Sequence, residues 1–402
     1  MRVRIVTTNT FPDGGAATSR IHCYARALTD QGISVEVVAP TNSSRLDGGH
    51  FLLHTKCDGI ITTLVRNSSP QRSKWLKRAL AYIDPLLVAL HTISTMRRAD
   101  VFVLYFNTVF SRWLMLVILK IARKRTVIEL NEYPYSHDGG KLTEVGFFNR
   151  LFLCFTLRCA FPLANGFLAI SEPLTKLVAE HAPRAKVLTL PALLLDQPIF
   201  GASTPPTADG FYILHAGSLS ERKDGITALF EAFGLAHSRL RSQFSTSLRL
   251  LVTNDAAIPK TREAIEEVVA RYDLKDHISF IGFCDKERLL KLMSGSLALV
   301  INKPSNLQNA CNFPTKLPQY MASGRPVIVA AKDMELNRFI IDKFNAIVVA
   351  PNDSEAIARA IEFCFRNPVA AAAIGRRAVE TSVSQFHYGS HAARLASFLS
   401  SV

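Results

Sequence analysis

Paired cysteines, a long apolar run and an N-terminal signal are all missing from this 402-residue sequence. Its seven cysteines are scattered, and only Cys154 and Cys159 are closely spaced, which argues against a disulfide framework or a zinc site. No apolar run reaches the roughly 18–20 uncharged residues that a spanning helix needs. The first residues enter a strand directly, without the apolar core of a signal peptide. We therefore expect a cytoplasmic protein with reduced thiols.

Acidic residues are also scarce. There are 33 Asp and Glu against 47 Lys and Arg, a formal net charge of +14. Residues 1–200 hold 24 basic and 14 acidic side chains, and the remaining residues hold 23 and 19. The excess is therefore concentrated in the first half, which favours an anionic partner for that half.

Much of this positive charge lies in residues 66–98, where basic side chains alternate with Trp75, Leu76, Tyr82 and other apolar residues. Two interpretations fit equally well. The segment is either a helix that lies on an anionic membrane surface or the solvated basic face of a soluble domain. No nucleic-acid-binding motif accompanies the charge, so we expect no nucleic-acid partner.

Short apolar strands alternate with helical segments along the whole chain, a pattern that predicts parallel sheets covered by helices. The alternation stops once, at the Pro-, Gly- and Thr-rich stretch 196–210, which is typical of a linker. We predict an α/β fold of two doubly wound, Rossmann-like domains, at 1–195 and 211–380. In such sheets ligands bind beyond the carboxyl ends of the strands.

Three loops that follow strands have features of a phosphate site. Gly14 and Gly15 precede the first helix and would let its amides approach a ligand. Arg222 and Lys223 stand at a helix start, where cations are unfavourable unless an anion lies between them and the amides. In "NACNFPTKLPQYMASGRPVIVA", residues 309–330, Pro314 predicts a first helical turn that leaves the amides of Thr315, Lys316 and Leu317 unpaired.

These loops are not a dinucleotide fingerprint or a P-loop, and each is also compatible with an ordinary turn or surface loop. A fourth loop, "ELNEYPYSHD", places polar side chains just beyond a strand: Glu129, Asn131, Glu132, His137 and Asp138. In an α/β sheet, polar residues at this position more often have a function than not.

Taken together, the segments resemble a known family. "GGAATSRIHCYARALTDQGISVEVVAP" is similar to the first glycine loop and helix of the family 4 glycosyltransferases, which have the GT-B fold. "HAGSLSERKDGITALFEAF" resembles their phosphate-binding segment, and "FPTKLPQYMASGRPVIVA" resembles their donor-binding helix. The order and spacing cover the whole chain. The resemblance implies two domains facing a cleft, and a final segment, 381–402, that crosses back to the first domain.

The resemblance also implies roles for single residues. Lys223 and Arg222, with Glu132, would be catalytic. Acceptor or sugar contacts would come from Glu129, Asn131, His137 and Asn309. The donor would be bound by Gly14, Gly15, Ser218, Asn312, Thr315, Lys316 and Gln319.

Three positions depart from the family pattern. Ser218 stands where the family usually has an arginine, Cys311 where it often has a glutamate near the donor sugar, and Gln319 where it often has a glutamate on the ribose. Gln319 can still hydrogen-bond a ribose diol, but Cys311 cannot replace a carboxylate. Asn309 or Asn312 could act in its place, or the donor sugar could differ.

The expected activity is that of a retaining glycosyltransferase acting in surface polysaccharide synthesis, with a nucleoside-diphosphate sugar as co-substrate and a glycan or lipid-linked acceptor. No D-x-D motif occurs, so we expect no metal and no other cofactor, with cations and helix amides opposite the diphosphate instead. The protein would act in the cytoplasm, with peripheral contact to the inner membrane face as an open alternative. Two other functions compete: a non-catalytic GT-B-fold partner subunit and a sugar-nucleotide epimerase.

Overall fold

A computed structural model describes residues 1–12, 14–41, 52–57, 59–67, 85–106, 109–134, 147–195, 210–244, 246–254, 257–282, 284–332 and 335–402. Contacts divide the chain into two compact units. Unit 1 comprises Met1–Leu195 together with His387–Val402, and unit 2 comprises Asp196–Phe386. In the predicted linker, 196–209 lies outside the described residues.

Unit 1 is built on an eight-stranded sheet with the order β3-β4-β2-β1-β5-β6-β7-β8. All neighbouring pairs are parallel except β3 and β4. Its central strands are buried and rich in Val, Ile and Leu, as a sheet covered on both faces requires. The strands are β1 (Arg2–Thr7), β2 (Ser34–Thr41), β3 (Leu52–Cys57), β4 (Ile60–Asn67), β5 (Val101–Tyr105), β6 (Arg125–Leu130), β7 (Gly166–Ala169) and β8 (Lys186–Thr189).

Helices connect these strands. They are α1 (Ala16–Asp30), the helical residues 85–94 (α2), α3 (Val109–Ile121), α4 (Phe147–Phe155) and α5 (Glu172–His181). A π-helical turn, Thr156–Ala160, continues α4 toward β7. The last helix of the chain, Tyr388–Ser401, packs against α1, and its Tyr388 hydroxyl donates to Asp30 at 3.0 Å. The C-terminal helix is therefore part of unit 1.

Unit 2 contains a six-stranded parallel sheet with the order β11-β10-β9-β12-β13-β14. Its strands are β9 (Phe211–His215), β10 (Leu248–Val252), β11 (Ile278–Phe280), β12 (Ala298–Asn302), β13 (Val327–Ala330) and β14 (Ile347–Val349). Its helices are α6 (Glu221–Asp224), α7 (Ile226–Phe244), α8 (Pro259–Arg271), α9 (Lys286–Gly295), α10 (Leu307–Cys311), α11 (Leu317–Ala322), α12 (Ser354–Arg366) and α13 (Pro368–Phe386).

The predicted α/β class with two doubly wound sheets is confirmed. One strand was missed, β3, which pairs antiparallel with β4 at the edge of the sheet. Its sequence, LLHTKC, carries His54 and Lys56 in place of a continuous apolar run, because an edge strand is buried on fewer sides.

The predicted basic helix over 66–98 is only partly accounted for. Arg66 belongs to β4, residues 68–84 lie outside the described ranges, residues 85–94 are helical, and Met96–Arg98 form a 3₁₀ turn. Among the described residues, no helix is long and apolar enough to cross a bilayer.

Candidate functional site

The first candidate site lies at the carboxyl edge of the unit 2 sheet, between β9 and β12. The chain proceeds from β9 to β10 on one side and from β12 to β13 on the other. The loops that follow β9 and β12 therefore diverge and leave a crevice, which is where doubly wound sheets bind ligands. Of the predicted donor residues, Ser218 lies in the loop after β9, residues 216–220, and Lys316 meets it there through Asp224.

Lys316 extends its ammonium group to the loop that follows β9. Its Nζ lies 3.2 Å from Oδ1 of Asp224. The other carboxylate oxygen of Asp224 accepts a hydrogen bond from the Ser218 hydroxyl. The side chains of Lys316 and Asp224 are 28% and 17% exposed, so solvent and small ligands can reach the pair. Asp224 was not among the predicted residues.

Gly217 makes room for this lysine. Its φ is +155°, and a Cβ at this position would lie 1.8 Å from Nζ of Lys316. Any side chain would therefore displace the ammonium group. The glycine is required both by the backbone conformation and by the close approach of Lys316.

Helix α6, which carries Arg222 and Lys223, is held in place by asparagines. The Ser220 hydroxyl caps its start by accepting from the Lys223 amide at 3.1 Å. The side-chain amides of Asn306 and Asn309 donate to the Arg222 carbonyl at 2.9 and 3.1 Å. Both cations are thus presented from a fixed backbone. Asn309, predicted to contact the acceptor or the sugar, is 6% exposed and holds this backbone.

The donor-binding helix starts later than predicted. Helix α11 begins at Leu317, and the Leu317 amide is already bonded to the Pro314 carbonyl at 2.9 Å. The expected free amide at Leu317 is therefore wrong. The second proline, Pro318, occupies the first turn of α11, a position suited to a residue without an N–H group, and Pro314 forms the preceding turn.

The other donor residues differ in accessibility. Thr315 is exposed, and Gln319 is half-buried on α11. Cys311 is 6% exposed and ends α10. The Asn312 carbonyl accepts from Nζ of the buried Lys303 at 2.6 Å, which anchors the turn before α11.

His215 lies beneath this site, at the end of β9. It is 2% exposed, and its Nε2 lies 3.2 Å from the Ser218 carbonyl, while Nδ1 has no hydrogen-bond partner within the described ranges. Burial, together with the positive charge of Lys316, lowers the pKa of His215 to about 4. The ring is therefore neutral at pH 7 and adds no charge to the site.

The second candidate site lies at the carboxyl edge of the unit 1 sheet, where the loop after β1 leads into α1. Gly15 is the N-cap of α1, and a Cβ there would face open space. Gly14 is enclosed, because a Cβ would lie 2.1 Å from Oγ1 of Thr18. That hydroxyl donates to the Thr10 carbonyl at 2.7 Å and fixes the loop to α1.

A buried ion pair lies close by. Nε of Arg20 is 2.5 Å from Oε1 of Glu129, and Tyr24 donates to Oε2 at 3.0 Å. The remaining guanidinium nitrogens of Arg20 donate to the carbonyls of Pro191 and Leu190 at 2.6 and 2.9 Å. Both charged side chains are sealed from solvent, with 4% of the Arg20 side chain and 0% of the Glu129 side chain exposed.

This network limits what Glu129 can do. Burial raises the pKa of Glu129, and the charge of Arg20 and the hydrogen bonds from Arg20 and Tyr24 oppose that rise. Each carboxylate oxygen of Glu129 already accepts a hydrogen bond, from Arg20 or from Tyr24. The side chain therefore uses its hydrogen-bonding capacity within the protein and not on a ligand. Its predicted acceptor contact stays a prediction.

The loop after β6 is more accessible. Asn131 and Glu132 are half-buried, and the Asn131 amide donates to the Tyr105 hydroxyl at 2.7 Å. Burial, with the charge of Glu129 next, raises the pKa of Tyr105 above its ordinary range, so the hydroxyl stays protonated. His137 lies outside the described residues. Within the described ranges, no group of three or more His, Cys, Asp or Glu side chains is arranged to hold a metal ion.

Three residues of these sites were missed in the sequence. Arg20 and Tyr24 are four residues apart on α1, so their shared face was a detectable signal. Asp224 precedes Gly225, which ends α6 in the left-handed conformation with φ +50°. Only the fold brings Asp224 to Lys316, 92 residues away in the chain.

Residues 210–367 match the sequence profile of the family Glycosyl transferases group 1. No curated protein matches the chain.

Solved structures share the whole fold at low identity. Anabaena Alr3699/HepE in complex with UDP and glucose is 17% identical, with a TM-score of 0.67 and 100% of both chains covered. Sucrose-phosphate synthase from Thermosynechococcus elongatus is 16% identical, with a TM-score of 0.69 over 100% of this chain and 98% of that one. The E. coli trehalose-6-phosphate structure bound with UDP-2-fluoro glucose is 12% identical, with a TM-score of 0.69 over 100% and 99%.

Proposed function

We propose that this chain, which has the GT-B fold and whose residues 210–367 match the profile of the group 1 glycosyltransferases, is a retaining, metal-independent glycosyltransferase. It moves a sugar from a nucleoside-diphosphate donor to a glycan or lipid-linked acceptor in surface polysaccharide synthesis. The observation that carries this proposal is the accessible Lys316–Asp224 pair at the switch point of the unit 2 sheet.

The donor diphosphate binds at this pair. Lys316 is positioned over Gly217 and is accessible, and Arg222 and Lys223 are presented by the fixed α6 backbone. HepE has been crystallised with UDP-glucose, so UDP-sugars are the first donors to test. Thr315 and Gln319 lie on the same segment as Lys316, and Gln319 offers an amide to the ribose.

The chemical step separates charge along one bond. The bond between the anomeric carbon and the β-phosphate oxygen breaks, and the acceptor oxygen bonds to the same carbon on the same face. The acceptor proton passes to the departing phosphate. Negative charge develops on that phosphate, and Lys316, Lys223 and Arg222 stabilise it electrostatically.

The acceptor is bound by unit 1. Asn131 and Glu132 occupy the accessible loop after β6, and Gly15 leaves open space at the start of α1. Glu132 orients the attacking hydroxyl. Glu129 supports this loop from within the sheet, paired with Arg20.

A donor screen tests the proposal. Thermal shift with UDP-, GDP-, ADP- and CMP-sugars should reveal one stabilising donor, and NMR of the product should show the donor's anomeric configuration retained. Activity should persist in EDTA. Inversion, or loss of activity in EDTA that added Mg²⁺ or Mn²⁺ restores, would contradict the corresponding part of the proposal.

The same screen separates the competing functions. A protein that shows no shift and no turnover with any donor would be a non-catalytic partner subunit. Release of free nucleotide with an altered monosaccharide, in the absence of acceptor, would indicate an epimerase.

A further inference from the structure

The unit 1 sheet has its own switch point, between β1 and β5. From β1 the chain proceeds to β2 on one side, and from β5 it proceeds to β6 on the other. The loops that follow these two strands therefore diverge, and the helices to which they lead, α1 and α3, cover opposite faces of the sheet. A doubly wound sheet binds ligands in the crevice that such loops leave.

Arg112, near the start of α3, reaches this crevice. Its Nη2 donates to the carbonyl of Phe106, the first residue after β5, at 2.6 Å. The amide of Thr8, the first residue after β1, donates to the carbonyl of Tyr105, the last residue of β5, at 3.4 Å. The guanidinium group therefore lies at the carboxyl ends of the two switch-point strands.

The guanidinium group of Arg112 has little to bind within the described ranges. It has five N–H donors, and its hydrogen bond to the Phe106 carbonyl uses one of them. Its Nε is buried and has no hydrogen-bond partner there. Burial alone acts on the pKa of Arg112 and lowers it to about 10, so the side chain remains a cation at pH 7.

Two arginines are fully buried in the described part of unit 1, and each has a carboxylate partner. Arg4 pairs with Glu36 at 2.6 Å. Arg20 pairs with Glu129 at 2.5 Å. A cation removed from water is unfavourable without an anion. The half-buried Arg112 has no such partner among the described residues, and because it is half-buried, a ligand can reach it.

The acidic side chains at this edge of the sheet do not pair with Arg112. Glu129 is sealed in its own ion pair. Glu132 lies in the loop after β6, and no described carboxylate influences the pKa of Arg112. The first turns of α1 and α3 contain no acidic residue. Asp13, in the loop after β1, lies outside the described residues.

We propose that Arg112 binds a phosphoryl group of the acceptor at the switch point of the unit 1 sheet. A guanidinium group is well suited to phosphate oxygens, which it binds through two parallel N–H groups. The acceptor supplies this group because the end of β5 contacts the acceptor loop, where the Asn131 amide donates to the Tyr105 hydroxyl. In naming the acceptor as the source, the inference rests on the proposed function.

Calorimetry with inorganic pyrophosphate tests the site in the full-length protein. The nucleoside diphosphate found in the donor screen, UDP first, is kept saturating so that it occupies the donor site. Wild type should still bind pyrophosphate. Arg112→Gln should weaken this binding about 10- to 100-fold, because a charged hydrogen-bond donor is lost. The matched control Arg97→Gln, at an exposed arginine of the same unit, should bind like wild type.

A purely structural role for Arg112 predicts a different result. Loss of its bond to the Phe106 carbonyl would then lower the urea midpoint and leave the pyrophosphate affinity unchanged. Arg112→Lys keeps the cation and tests the site even where Arg112→Gln does not fold. It should weaken pyrophosphate binding about two- to tenfold, which corresponds to the loss of one hydrogen bond.

Acceptor candidates identify the source of the phosphoryl group. With the donor found in the screen, a sugar linked to a lipid diphosphate should be a better acceptor than the neutral alkyl glycoside of the same sugar. Arg112→Gln should raise the KM of the lipid-diphosphate acceptor about 10- to 100-fold and leave the KM of the donor unchanged.

Four results would overturn the inference: no pyrophosphate binding by nucleotide-saturated wild type, unchanged binding by both Arg112 variants, equal use of the neutral acceptor, or weaker nucleotide binding by Arg112→Gln with pyrophosphate binding retained. The last result would assign Arg112 to the donor diphosphate. If the proposed function fails instead, no donor will turn over, while pyrophosphate will still bind wild type more tightly than Arg112→Gln.

Discussion

Each unit places a cation–carboxylate pair at the carboxyl edge of its sheet, but the two pairs differ in exposure. In unit 1, Arg20 and Glu129 are sealed, with 4% and 0% of their side chains exposed. In unit 2, Lys316 and Asp224 are 28% and 17% exposed. The remaining guanidinium nitrogens of Arg20 donate to two backbone carbonyls, and the second carboxylate oxygen of Glu129 accepts from the Tyr24 hydroxyl.

The difference indicates two different roles. A sealed pair cannot exchange partners without leaving a buried charge, so it fixes α1 against β6. An accessible pair can separate at little cost, because solvent and a ligand replace the lost partner. Lys316 can therefore leave Asp224 for an anionic ligand, whereas Arg20 remains with Glu129.

The largest effect is expected on breaking the sealed pair. Arg20→Met leaves Glu129 buried without its cation and should destabilise unit 1 by about 3–5 kcal/mol. Urea unfolding followed by tryptophan fluorescence measures this unit alone, since Trp75 and Trp113 both belong to it. Adding Glu129→Gln should restore part of the loss. A loss below about 1 kcal/mol would show that the pair is no more important than a surface ion pair.

The accessible pair should behave in the opposite way. Lys316→Ala should leave the free energy of unfolding within about 1 kcal/mol of wild type. It should lower kcat about 10²- to 10³-fold, because a cation opposite the departing phosphate is lost. Lys223→Ala should also reduce turnover strongly, while Lys260→Ala, an exposed lysine of α8, serves as the control. Full activity in both the Lys316 and Lys223 variants would refute the assigned site.

The neutral histidine beneath the accessible pair predicts a pH effect. The pKa of His215 is about 4 in the fold and near 6.5 in the unfolded chain. Between these values the unfolded chain binds more protons, so stability is full above pH 6.5 and falls as the pH is lowered toward 4, by at most about 3 kcal/mol. His215→Gln should flatten this slope in unfolding curves recorded across that range. An unchanged slope would mean that His215 does not titrate in this way.

The smallest effect concerns the carboxylate that holds Lys316. Asp224→Asn removes a negative charge near the diphosphate site and should tighten UDP binding about three- to tenfold, measured by calorimetry. Asp276→Asn, an exposed position of unit 2, should leave the affinity unchanged. Weaker binding to the Asp224 variant would mean that this carboxylate contacts the donor itself.

Much of the fold could be predicted from local pattern. Alternating apolar strands and helices indicated both parallel sheets, because buried parallel strands have a clear sequence signature. The edge strand β3 was not predicted, because its sequence contains polar residues and lacks that signature. The start of α11 was misplaced by three residues, because Pro314 and Pro318 both suit a first turn and only the observed hydrogen bonds distinguish them.

The candidate site was predicted less completely. Glycine loops and cations leave a local signal, so Gly14, Gly15 and Lys316 could be proposed from the sequence itself, whereas Ser218 followed only from the family resemblance. The burial of Glu129 and Asn309 could not, because it depends on Arg20, Arg222 and other residues far away in the chain. The solvent exposure of Leu151 and Phe152 likewise became evident only from the structure.

The sequence by itself determined the class of fold, the order of its strands and helices, and the loops in which a phosphate-binding site could form. These properties follow from periodicity, glycine and proline, which act over a few residues. Only the tertiary structure decided which charges are sealed and which are accessible, and which apolar side chains face solvent. Those properties depend on residues that are distant in the chain and adjacent in space, as Lys316 and Asp224 are.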